Sequence, residues 1–308
     1  MAVALPPARC YIVSRVSSGG YAKEKPSYVT KKGCLTNLRK RIGELRPSCV
    51  PAAPPTVEAA AAGGGDEPAL YHWLIVCDKC DEDLMDHVRA EARAADPRGK
   101  VTVVETAFGN GAASFRFALQ TIVGSSVPSW AFVYMVEDDY VHVPHALGVI
   151  FDGLSVADFA TGYDHPDKYG HRTTGNPRAA LPAGSRDTLV PLGNNVPLVS
   201  SPPTFASAMS EDGGRVMLGA TGHFRETNST TMTFATRVSC LRAVASEILP
   251  FVSESHPHDF FLWIYLRAVH NRRLVHALPS VSTHGETAFL APRPRLPAGQ
   301  TWASVMRD

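Results

Sequence analysis

The sequence carries almost no net charge, no long apolar run, no basic leader and no internal repeat, and each absence removes a class of protein. Thirty Lys and Arg against 29 Asp and Glu leave a formal charge of +1. No global field therefore draws the chain to nucleic acid or to an anionic membrane, and an anionic ligand must be held by a local site. No stretch approaches the roughly 18 uncharged apolar residues of a membrane span. The opening MAVALPPARCYIVSRVS lacks the basic segment and the apolar core of a secretory signal. A soluble, cytoplasmic protein without a membrane span or a nucleic-acid partner is expected. Cysteine is scarce as well: the six residues Cys10, Cys34, Cys49, Cys77, Cys80 and Cys240 are too dispersed for a disulfide framework, which suits a reducing compartment. Cys77-x-x-Cys80 has no second pair to complete a zinc site, so it reads as ordinary thiols. Asn228-Ser-Thr fits the glycosylation pattern, which carries no weight without secretion.

What is present is a chain of 308 residues, 44% hydrophobic, long enough to bury a substantial core. Its first half alternates short apolar runs (Tyr11 to Val16, His72 to Cys77, Val101 to Thr106, Ala131 to Val136) with stretches of helical spacing (Cys34 to Leu45, Glu82 to Ala94, Ala112 to Val123). That alternation predicts an α/β fold, Rossmann-like, with a mixed, mainly parallel sheet flanked by helices in a single compact domain. The segment Pro47 to Pro68 is rich in Ala, Pro and Gly and is expected to be a surface insertion that packs as neither strand nor helix. The second half is more irregular. It has a Gly- and Pro-rich region from Tyr163 to Gly214, a strand at Thr230 to Ala235, and helices from about Ser239 and over Asp259 to Asn271. Long irregular loops in a compact protein are usually functional or disordered.

The chemistry concentrates at Trp130 to Tyr140, where seven mostly apolar residues run straight into Glu137-Asp138-Asp139. Ligands of open parallel sheets bind outside the carboxyl ends of the strands. Two carboxylates one residue apart project to the same side of an extended chain, and together they can hold a hard divalent cation that bridges two phosphates. The competing reading is a solvated acidic turn. A second function class comes from Gly109-Asn-Gly111-Ala-Ala-Ser114, which outlines the phosphate loop of an NAD(P)-dependent oxidoreductase. Its third glycine is replaced by Ser114, and Glu137 lies beyond the spacing expected of the ribose-binding acid. A third alternative is a catalytically silent carbohydrate-binding protein.

VEDDY at a strand end resembles the aspartate motif of GT-A glycosyltransferases, including N-acetylglucosaminyltransferase I. GNGAASFRFAL (109 to 119), YMVEDDYVHVPHAL (134 to 147), YDHPDKY (163 to 169), STTMTFATRVSCLRA (229 to 243), HPHDFFLWIYLR (256 to 267) and STHGETAFLAP (282 to 292) resemble, more closely, the group that includes a chlorovirus rhamnosyltransferase domain and related bacterial proteins. Before Val101 the likeness is only architectural. The resemblance implies a metal-dependent transfer of a sugar from a nucleoside-diphosphate donor, UDP-linked for preference, to a glycan hydroxyl. It implies a nucleotide-binding half over 1–140 and an acceptor half over 141–308. Asp139 would then be a direct ligand of Mn²⁺ or Mg²⁺, with Glu137 and Asp138 supporting it or touching the donor, and His284 returning to the metal. Asp259, before an apolar helix, would be the general base of an inverting reaction, with Asp164 or Asp167 next in line, against the plain reading of a helix cap. Arg15 would face phosphate and Asp78 a uracil N–H, Asn110 and Arg116 would lie near the nucleotide, and Tyr163, Asp164 and His165 would shape the sugar or acceptor pocket.

Overall fold

The computed structural model of the chain describes residues 3–19, 24–52, 67–166, 169–171, 189–191, 216–252, 257–292 and 294–307. Strands β1 (Ala8–Ser17), β2 (Ala69–Asp78), β3 (Gly99–Thr106) and β4 (Phe132–Glu137) extend the four expected apolar runs by a residue or more at most ends. Between them lie α1 (Lys31–Gly43), α2 (Glu82–Arg93) and α3 (Gly111–Gly124). Each helix starts at a polar residue whose side chain takes an orphan amide: Thr30 from Gly33, Asp81 from Leu84, Asn110 from Ala113.

After β4 come β5 (Tyr140–His142), α4 (Ala146–Asp152), β6 (Phe159–Thr161), the short pair β7 (Tyr169–His171) and β8 (Leu189–Pro191), β9 (Val216–Leu218), β10 (His223–Glu226) and β11 (Phe234–Arg237). The described chain ends with α5 (Val238–Ile248), α6 (Asp259–His270), β12 (Leu274–Leu278), β13 (Ser282–His284) and α7 (Trp302–Arg307).

Nine strands form one sheet in the order β3-β2-β1-β4-β11-β6-β12-β10-β9. β3, β2, β1 and β4 are mutually parallel, β11 runs against β4 and β6, and β10 runs against β12 and β9. Only β11 and β10 therefore oppose the rest, which is the mixed, mainly parallel sheet the alternation predicts. Alternate residues of the central strands enter two cores. Cys10 and Ile12 of β1, Tyr71, Trp73 and Ile75 of β2, and Tyr134 and Val136 of β4 pack with α1, α2, α4 and α7. Tyr11 and Val13, Leu74 and Val76, and Val133 and Met135 pack with α3, α5 and α6. Strands buried on both faces read as continuous apolar runs, which is why β1, β2 and β4 were legible. Each fully buried aliphatic or aromatic side chain contributes about 1.5–3 kcal/mol.

Three expectations are corrected. The segment starting at Pro47 is not wholly an unpacked insertion: Pro47–Cys49 forms a 3-10 turn, Val50 is buried in the first core, and Cys49 lies against Gly148 of α4. Residues 53–66 of that segment lie outside the described residues, as do Asp167 and most of the Gly- and Pro-rich region. The strand expected from Thr230 begins only at Phe234, because Thr231 and Met232 take positive φ (44° and 57°), which no strand allows. Helix α6 starts at Asp259 as expected, yet its cap position is His258, with no side-chain bond from the cap. Among the described residues no helix is long and apolar enough to cross a membrane.

Candidate active site

The strand order reverses at one place. From β1 the chain crosses by α1 to β2 on one side, and from β3 it crosses by α3 to β4 on the other, with α1 and α3 on opposite faces. A crevice outside the carboxyl ends of β1 and β4 follows from that switch. Arg15 pairs in register with Glu137, and the acidic triplet emerges there. All three of its carboxylates are partly or largely buried, and each meets its own cation. Arg15 Nη2 is 2.6 Å from Glu137 Oε1, Lys31 Nζ 3.0 Å from Asp138 Oδ2, and Lys25 Nζ 2.8 Å from Asp139 Oδ2. The Ser17 amide also donates to Asp138 at 3.0 Å. Lysines 25 and 31 had no role in the sequence reading. Their signal was a scatter of lysines before and at the start of α1, and nothing in its spacing ties it to residues 138 and 139.

The fourth member arrives from the far end of the chain. β13 pairs antiparallel with β5 and sets His284 opposite Tyr140, next to Asp139. His284 Nε2 stands 3.3 Å from Asp139 Oδ2 and 3.8 Å from Glu286 Oε1. Gly285 makes this approach possible: a Cβ there would meet the Asp139 carbonyl oxygen at 2.6 Å and Val29 at 2.5 Å. Asn37 of α1 fixes the other strand, donating to the His142 carbonyl at 3.0 Å and accepting its amide at 2.8 Å. Tyr140 and Tyr163 close the back of the imidazole, with ring centroids at 5.6 and 6.4 Å.

Electrostatics follow from this crowding. Burial pushes the Glu137 and Asp138 carboxyls upward, against the pull of Arg15 and Lys31 respectively. At Asp139 burial also acts upward, but the hydrogen bond and charge of His284, with Lys25, outweigh it and hold the carboxyl below the usual range. Burial would lower His284, and the bond to Asp139 reverses that, so the imidazole is pulled upward. Both shifts describe one ion pair.

Glu137, Asp139 and His284 can each turn a ligand atom to within 4.8 Å of the others. Their fit to a divalent cation was tested on what the side chains leave unsatisfied. Among the described residues, Asp139 Oδ1 is buried without a hydrogen-bond partner, an expensive arrangement unless something else takes it up. Two carboxylates and one imidazole suit Mn²⁺ or Mg²⁺, whose adjacent ligand atoms stand about 3 Å apart. The 3.3 Å between His284 and Asp139 matches that spacing. The residues present fit the group.

Other expected site residues are placed differently. Arg15 is buried. It spans from Glu137 to the Gly111 carbonyl (3.1 Å) and lies over the Phe115 ring at 5.2 Å. Asp78 is buried and accepts from the Gly109 amide (3.0 Å), the Asn110 amide (3.2 Å) and the Thr106 hydroxyl (3.3 Å). Its carboxylate thus fills the place that a pyrophosphate would take in a dinucleotide loop, and Gly109, at φ 63°, makes the turn. Asn110 caps α3, and Arg116 lies half-buried on that helix. Tyr163, Asp164 and His165 are interior. Tyr163 donates to the Phe289 carbonyl at 2.7 Å, and Asp164 faces His276 at 3.4 Å and Arg225 at 4.0 Å. The His165 ring meets Tyr163 edge-on and Phe289 at a tilt, each with centroids 5.3 Å apart.

Asp259, expected to offer a carboxylate for proton removal, is engaged on both oxygens. Oδ2 accepts the amides of Thr230 (2.7 Å) and Thr231 (3.0 Å), and Oδ1 accepts the Thr230 hydroxyl (2.7 Å), the Met232 amide (3.0 Å) and the Trp263 indole N–H (2.8 Å). This clamp holds the strained Thr230–Met232 turn, and Tyr140 in turn donates to the Thr230 carbonyl at 2.6 Å.

No protein-family model matches the chain, and no curated protein matches its sequence. Solved structures resemble it weakly. They include S. aureus TarS residues 1–349 (13% identity, TM-score 0.39, 91% of this chain and 59% of that one). The same protein in complex with UDP-GlcNAc gives 11% identity and a TM-score of 0.40, covering 96% and 60%. The galactosyltransferase LgtC with donor and acceptor sugar analogues gives 9% and 0.37, covering 83% and 69%. The chain therefore spans about three fifths of the length of TarS 1–349. This is a likeness of general layout and no more.

Proposed function

We propose that the chain is a metal-dependent GT-A glycosyltransferase that moves a sugar from a nucleoside diphosphate, UDP for preference, to a glycan hydroxyl. The observation that carries this reading is the convergence of Glu137, Asp139 and His284 at the switch point of the sheet, with Asp139 Oδ1 buried and without a partner. Glu137, Asp139 and His284 would hold Mn²⁺ or Mg²⁺, which would supply Lewis-acid neutralisation of charge developing on a diphosphate leaving group. The protein's own side chains do the rest. Arg15 offsets part of the burial penalty on Glu137, Lys31 and the Ser17 amide fix Asp138, and the β5–β13 ladder holds His284 at Asp139. The narrower kinship with the chlorovirus rhamnosyltransferase group belongs to the same proposal.

The inverting mechanism with Asp259 as base has less support than the metal site. Five donors occupy its oxygens, so we assign Asp259 to positioning the Thr230–Met232 turn behind Tyr140. The oxidoreductase reading loses its phosphate loop to Asp78. A screen of nucleotide sugars with Mn²⁺ and Mg²⁺, reading nucleotide release, tests the proposal. Release that needs the metal and the acidic triplet supports it. Glycan binding with no release from any donor would leave the silent carbohydrate-binding alternative.

A further inference from the structure

Two lysines stand in the site, and they differ in what else they hold. Lys31 donates to the Ser17 and Gly19 carbonyls as well as pairing with Asp138, so it is built into the β1–α1 connection. Lys25 is half-buried and donates to Asp139 Oδ2 at 2.8 Å, the same oxygen that His284 Nε2 approaches at 3.3 Å. The other oxygen of Asp139 is buried without a partner. An ammonium therefore sits on the carboxylate that a divalent cation would need. Two cations this close in a partly buried site repel strongly. A lysine on a flexible four-carbon stem is the member that can leave.

We propose that Lys25 is an exchangeable counter-ion: its ammonium holds Asp139 until a divalent cation arrives, then leaves and is presented to the diphosphate oxygens of the bound nucleotide. This rests on the metal-site reading above. Physically, the exchange makes the metal alone bind weakly, because it must displace a salt bridge. It makes metal and nucleotide bind cooperatively, because the diphosphate takes up the displaced charge. The crowding of Asp139 also gains a reason. Its carboxylate is held ready and ionised in a partly buried place, which an uncompensated anion would resist.

The test is a Mn²⁺ titration, by the loss of the free-ion electron paramagnetic signal, of the wild type, Lys25→Met and Lys25→Arg, each with and without UDP. Lys25→Met should bind Mn²⁺ alone about tenfold more tightly than the wild type. UDP should tighten Mn²⁺ binding in the wild type and much less in Lys25→Met, while Lys25→Arg stays close to the wild type. Lys25→Gln, with melting curves for all, serves as the second uncharged variant if the methionine variant is poorly folded. A wild type that binds Mn²⁺ while both uncharged variants bind it no more tightly overturns the role of Lys25 alone. A wild type that binds no Mn²⁺, with or without UDP, overturns the metal site itself and the exchange with it.

Discussion

His284 Nε2 faces Asp139 Oδ2 at 3.3 Å because a three-residue ladder, Ser282–His284 on Tyr140–His142, brings the last strand of the chain beside the acidic triplet. Everything proposed for the site depends on that ladder.

Asp139→Ala should abolish Mn²⁺-dependent UDP binding and lower turnover by at least 10²-fold, the scale for losing a group that stabilises transition-state charge. The variant should still fold but with a lowered melting temperature, since Lys25 and His284 lose their shared partner. Calorimetry with UDP and Mn²⁺, beside a melting curve, decides it. A mutant that binds both as the wild type does would end the metal assignment.

Gly285→Ala should act on the metal site without changing any ligand. The new Cβ meets the Asp139 carbonyl oxygen at 2.6 Å and Val29 at 2.5 Å, so β13 must move away. Overpacking of this kind costs about 1–3 kcal/mol, and Mn²⁺ affinity should fall about tenfold or more as His284 withdraws. Unchanged affinity in a folded variant would mean that His284 is no ligand.

Asp259→Asn separates clamp from base. The amide places its N–H₂ against two N–H donors whichever way it turns, the Thr230 and Thr231 amides on one side or the Met232 amide and Trp263 indole on the other, at a cost on the order of 2–4 kcal/mol. A positioning role predicts a clearly lowered melting temperature together with reduced turnover. A variant as stable as the wild type with turnover down by 10²-fold or more would restore Asp259 as the base.

Stability should fall in mild acid. Burial lowers His72 to about 4, and burial with the charge of Arg41 lowers His142 to about 3, against an ordinary 6.5. Between pH 6.5 and 4 the unfolded chain binds protons that these folded imidazoles refuse, so their contribution is present above about 6.5 and is lost as pH falls. At pH 5 the loss is about 2 kcal/mol for each. Urea midpoints at pH 7 and pH 5 measure it, and His72→Gln should shrink the difference. A midpoint that does not drop would contradict the buried, neutral state of both.

The fold was legible where burial is symmetrical and local rules agree. Strands β1, β2 and β4 are covered on both faces and so read as apolar runs, while α1, α2 and α3 announce themselves by Thr30, Asp81 and Asn110 at their caps. Thr230 to Met232 misled because β-branched residues favour strands. Their positive φ is imposed from outside by Asp259, Thr231 and Met232 being turned by bonds to a residue on another helix. Val50, in a Pro- and Ala-rich stretch, misled in the opposite sense, since composition does not show which single side chain finds a core.

By itself the sequence determined that an acidic triplet ends a buried strand in an α/β chain with almost no net charge to hold an anion, because strand periodicity and composition are properties of neighbours along the chain. Only the tertiary structure decided which partners each acid has: Arg15 on Glu137, Lys31 on Asp138, and Lys25 with His284 on Asp139. It also put loop amides on the carboxylates of Asp78 and Asp259. A carboxylate's chemistry is set by the donors within about 3 Å of its oxygens, and here those donors come from segments that only strand pairing and helix packing bring together.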